Sequence, residues 1–93
     1  MTGVVFAIDP EPTLSAYDAE TLATLLEVKG DARAMNLGHR IRRSVRTEKK
    51  VQLDRRELGT LARLFSSAPE LVRAPEFAAF GALAAAVLAA LYG

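Results

Sequence analysis

The stretch FAAFGALAAAVLAALY, residues Phe77 to Tyr92, has no charged or polar side chain apart from the phenol at its end. A helix of this composition is apolar on every face and has to be covered by a core, a partner or lipid. Ala78, Ala82, Ala86 and Ala90 recur at every fourth position and form a strip of small side chains that lets another backbone come close. As a membrane anchor the segment stands at the short limit of about 17 residues, and it is built from Ala rather than Leu or Ile, with no flanking charge beyond its end. Membrane insertion is therefore disfavoured. The segment is read as the central helix of a small bundle. Three amphipathic helices cannot easily surround it in so small a domain, so part of it is expected to pack on a second copy, with the four alanines as the self-complementary seam of a homodimer.

The rest of the chain supplies the partners for that helix. Gly3 to Ile8 (GVVFAI) is a β-branched and aromatic run stopped by Asp9-Pro10-Glu11-Pro12, which no helix crosses. Ser15 and Asp18 have capping-box spacing before Ala19, Leu22, Ala23 and Leu26, predicting a first helix from Ser15 to Lys29 that stops at Gly30 in a left-handed conformation. Asp31 caps a second helix with Ala34, Leu37, Gly38, Ile41 and Val45 on its buried face, ending near Thr47. Lys50 to Leu53 alternates polar and apolar and predicts a second short strand. Asp54 and Glu57 cap a third helix with Leu58, Leu61, Ala62 and Phe65 inward, and Ser67 with Glu70 repeats the device before Pro75.

The fold class that follows is mainly α: a single domain over residues 1–93, a bundle of about four helices with a minor two-stranded β-ribbon pairing Gly3–Ile8 with Lys50–Leu53. Such a ribbon would set the first and third helices side by side. The segments Asp18 to Leu25 and Asp54 to Leu61 share D-x-x-x-L-[A/G]-T-L, which an internal duplication of a strand–helix unit would explain.

At 93 residues, 51% hydrophobic, the chain can bury a core but gains from a partner. It has no Cys and one His, which rules out disulfides, thiolate chemistry and any His/Cys metal site. The start of the sequence, MTGVVFAIDPEP, has no basic region before a short apolar run and does not read as a secretory signal, so the expected location is the cytoplasm.

The net charge of +1 conceals a basic middle. Arg33, Arg40, Arg42, Arg43, Arg46, Lys49, Lys50, Arg55 and Arg56 face only Glu48 and Asp54 in the same stretch, while the flanking segments are acidic. On the second helix His39, Arg43, Arg46 and Lys50 form one stripe, broadened by Arg40 and Arg42 and continued by Lys49. These residues are the candidate binding surface. An acidic protein partner, or pairing with the acidic first helix, accounts for them; DNA or RNA bound through its phosphates is the alternative. No aromatic side chain lies between Arg33 and Arg56 to stack on bases. The order of Lys49 to Leu53 followed by two helices is that of the ribbon-helix-helix DNA-binding fold, but Pro69 and Pro75 interrupt the place where its second helix would start.

Catalysis has no constellation to rest on. Ser15, Ser66 and Ser67 sit at predicted helix starts, where hydroxyls cap backbone N–H groups, and no G-x-G-x-x-G, P-loop or H-E-x-x-H motif occurs. The expectation is a non-enzymatic, cofactor-free adaptor or regulatory protein that self-associates.

Overall fold

The computed structural model describes residues 3–8, 11–47, 50–73 and 78–92. Its elements run β1 (Gly3–Phe6), β2 (Thr13–Ser15), α1 (Ala16–Lys29), α2 (Ala32–Arg46), β3 (Lys50–Val51), α3 (Arg55–Ser67), α4 (Glu70–Arg73) and α5 (Ala78–Tyr92). The protein is mainly α with a small sheet, as the apolar periodicities predict.

The expected pairing of the N-terminal and central strands forms, in parallel register, with Val5 opposite Lys50 and Phe6 opposite Val51. Two corrections go with it. Both expected strands are shorter, Gly3–Phe6 instead of Gly3–Ile8 and Lys50–Val51 instead of Lys50–Leu53, and a third strand, β2, pairs antiparallel on the other edge of β1, matching Val4 with Leu14. The sheet order is β2-β1-β3. Its alternation puts Val4, Phe6, Leu14 and Val51 into the core while Thr13 and Lys50 face solvent. Because β3 is spent on β1 of the same chain, it does not present a ribbon of the kind the ribbon-helix-helix order implied.

Each long helix before α5 starts on a side-chain cap. Ser15 Oγ accepts from the Asp18 N–H at 3.1 Å and Asp31 Oδ1 from the Ala34 N–H at 3.1 Å. At α3 the box is complete: the Glu57 N–H donates to Asp54 Oδ1 at 2.8 Å and the Asp54 N–H donates to Glu57 Oε1 at 3.0 Å. Caps of this kind are each worth about 1 kcal/mol. Ser67 does not repeat the device. It is the last residue of α3, and its hydroxyl donates to the Leu64 carbonyl at 3.0 Å. The expected restart at Pro75 lies outside the described residues.

Gly30 ends α1 but in an extended conformation, φ −97° and ψ 173°, not the left-handed one expected. What it needs is room: a Cβ there would stand 2.0 Å from the Ala34 Cβ. The tight turn folds α2 back along α1, and Gly38 deepens the contact, since a Cβ there would come within 2.8 Å of the Ala23 carbonyl oxygen. Helix α1 packs chiefly on α2, and α3 chiefly on α5, so the first and third helices do not form the side-by-side pair expected of the ribbon.

The duplicated motif does not occupy equivalent places either. Asp18 lies inside α1 while Asp54 precedes α3 as its cap, and Thr24 is exposed where Thr60 is buried. Leu22, Leu26, Leu37, Ile41, Leu61, Phe80, Leu83 and Val87 form the centre of the core, with Phe65 tilted against Phe80 at 6.4 Å between ring centroids.

Candidate interaction surfaces

The basic residues of the expected stripe separate into a paired group and an unpaired one, and Lys50 lies on β3, not on α2. Arg42 lies against α1, where its Nη2 donates to Glu27 Oε1 at 3.0 Å and to Thr24 Oγ1 at 2.9 Å, and its Nη1 lies 3.5 Å from Glu20 Oε1. The hydrogen bond to Glu27 raises the Arg42 pKa above its ordinary value, against desolvation and with help from the charges of Glu27 and Glu20. His39 Nε2 stands 3.6 Å from the same Glu27 carboxylate. Arg40 turns the other way and donates to the Glu57 carboxylate and the Gln52 carbonyl, joining α2 to the cap of α3. Lys50 Nζ is 3.4 Å from Glu11 Oε2.

Arg43 and Arg46 are different. Both are exposed, and among the described residues neither forms an ion pair. With His39, Arg42 and Thr47 they line a shallow hollow of about 290 Å³ at the C-terminal end of α2. Lys49 lies outside the described residues. Of the sequence-derived stripe, then, the structure joins His39, Arg40, Arg42 and Lys50 to acidic residues of the same chain and leaves Arg43 and Arg46 facing water.

On α5 the four-residue strip does not keep to one face. Each step of four residues turns the helix about 40° beyond a full turn, so from Ala78 to Ala90 the strip rotates about 120°. Ala78 and Ala82 are exposed, Ala86 is buried and Ala90 half-buried. The line that does stay outside is Ala78, Ala82, Ala85, Ala89 and Tyr92, with Leu88 beside it. Its spacing alternates four and three residues, the period that follows a helix face. Tyr92 is 81% exposed and Leu88 49%, large values for apolar side chains on an ordered helix. Beside them Ala62, Phe65, Ser66, Val72, Ala84 and Leu88 line a groove of about 190 Å³ between α3, α4 and α5.

Among the described residues no helix is long and apolar enough to cross a membrane, and no group of three or more His, Asp or Glu side chains is placed to hold a metal ion. Comparison with protein-family models, curated proteins and solved structures finds no match.

Proposed function

We propose that this chain is a non-enzymatic binding protein of the cytoplasm, in an adaptor or regulatory role, which self-associates through the outer face of α5 and offers Arg43 and Arg46 to an acidic protein partner. The observation that carries it is the uncharged outer line of α5, from Ala78 to Tyr92, left in water by every other element. The line tapers: its first half is alanine and its second holds Leu88 and Tyr92. Antiparallel pairing about a two-fold axis sets the large end of one copy over the small end of the other, and it opposes the helix dipoles favourably.

The test is sedimentation velocity on the native chain and on Ala85→Glu/Ala89→Glu. Both positions are exposed, so the variant keeps its fold, seen as unchanged circular dichroism, and sediments as a monomer where the native chain sediments as a dimer. A native chain that stays monomeric up to its solubility limit overturns the proposal.

A second reading has the same unpaired arginines for support. Arg43 and Arg46 project from one face and could neutralise phosphates, which makes a small DNA- or RNA-binding regulator the alternative. Binding to random duplex DNA with a steep salt dependence that Arg43→Gln/Arg46→Gln flattens selects that reading over the acidic protein partner.

A further inference from the structure

The end of α1, the turn at Gly30 and the start of α2 stand across from the second half of α3, and between them is a cleft of about 320 Å³. It is separate from both surfaces above and does not depend on the proposed function. Its volume falls at the small end of the range for ligand sites, about 300–1,000 Å³. The wall is apolar where Ala34 and Leu64 reach it, and the Thr60 side chain is almost wholly buried in it.

The rim carries charge with an imbalance. Lys29 closes α1 and Arg63 rises from α3; both are exposed, and neither has an acidic partner within ion-pairing distance among the described residues. Among the described residues Asp31 is the one carboxylate lining the cleft, and it is committed to capping α2 through the Ala34 N–H. Two cations face one engaged anion, so the cleft has a positive balance above an apolar wall.

We infer that this cleft binds a small amphipathic carboxylate, its apolar body against Ala34 and Leu64 and its anion between the Lys29 ammonium and the Arg63 guanidinium. The Gly30 turn is what holds Lys29 there, because any larger residue would be driven off the Ala34 methyl and would swing the end of α1 away. A bare inorganic anion would leave the apolar wall unused, and a neutral or cationic ligand would leave the two cations unanswered.

The experiment is amide NMR titration of the full chain with three probes that share one apolar body, octanoate, octanol and octylamine, all below their aggregation limits. Octanoate is expected to shift Gly30, Ala34, Thr60 and Leu64 saturably, with octanol weaker and octylamine without effect. Lys29→Gln and Arg63→Gln, both at exposed positions, are each expected to weaken octanoate about tenfold, the value of one charge-assisted hydrogen bond. Octylamine equal to octanoate, or full affinity in both variants, overturns the assignment. So does an octanoate response confined to Ala82, Ala85 and Leu88, which would place the ligand on α5, or no saturable response at all.

Discussion

On α2 the side chains of Arg40, Arg42 and His39 each have a carboxylate of the same chain within reach, at Glu57, Glu20 and Glu27, while Arg43 and Arg46 stand in water. On α5 the outward side chains are Ala78, Ala82, Ala85, Leu88, Ala89 and Tyr92, which offer water nothing but one phenol. The first face costs little in water without a partner, since its charges are paired within the chain or, at Arg43 and Arg46, solvated. The second is a surface whose burial would remove apolar area from water at about 25 cal/mol per Å². The difference locates the unfinished part of the molecule on α5, although α2 has the more conspicuous sequence.

The largest effect expected from this contrast separates the two sides of α5 itself. Phe80 is fully buried and packs on Phe65, so Phe80→Ala should cost about 3–5 kcal/mol in urea unfolding. Leu88→Ala removes a half-exposed side chain and should leave monomer stability within about 0.5 kcal/mol while weakening self-association. Equal destabilisation by the two substitutions would mean that the outer line belongs to the monomer's core, and the contrast with α2 would fall.

A matched pair of glycines sharpens the same comparison from the α1–α2 side. Gly38→Ala forces a methyl to within 2.8 Å of the Ala23 carbonyl oxygen and 3.1 Å of Glu27 Cγ, and overpacking of that kind costs about 1–3 kcal/mol, partly offset by helix propensity. Gly59 on α3 has nothing within 4 Å of the corresponding position. Gly59→Ala should therefore stabilise by about 0.5–1 kcal/mol through helix propensity alone. Thermal unfolding of the two variants reads opposite signs if α1 and α2 are as closely docked as the geometry requires.

What the sequence makes legible follows from how local each signal is. Asp31, Asp54 and Glu57 announce helix starts because capping is settled within four residues, and the burial of Leu22, Leu26, Leu37 and Ile41 follows from a period that any amphipathic helix must keep. β2 escapes because Thr13-Leu14-Ser15 is too short to show alternation and Ser15 also signals a cap. The α5 seam is half legible: the need for cover is written in the composition, but the strip chosen by equal spacing twists off the face, and the positions of α3, α4 and β2 decide which alanines remain outside. The basic stripe is divided by tertiary pairing with residues distant in sequence: the Gly30 turn brings Glu20 and Glu27 of α1 against α2, and the packing of α3 on α2 brings Glu57.

Smaller effects are expected where charges are already answered. Arg42→Gln breaks the contacts to Glu20, Glu27 and Thr24 and should cost about 0.2–1 kcal/mol, less at high salt, because the group is partly exposed. Arg43→Gln should be silent in unfolding and visible only in binding. If both arginines are silent in unfolding, the α1–α2 face is held by Gly38 and its apolar neighbours alone, and the paired charges merely decorate it.

The smallest effect concerns Asp31 at the turn between those helices. The Ala34 N–H holds its carboxyl below the ordinary value of 3.8, against some desolvation and with help from the Arg63 charge. A carboxylate whose folded pKa is depressed adds stability that is fully present above its unfolded value and is lost as pH falls through the lower folded one. Wild-type protein should thus exceed Asp31→Asn in melting temperature at neutral pH, since Asn still caps but carries no charge. That gap should close as pH drops below 3.8. Arg63→Gln should narrow it at neutral pH as well, because it removes one source of the depression. A gap that stays constant down to low pH would show that the cap acts through its hydrogen bond alone, and that Arg63 does not sense the carboxylate across the cleft.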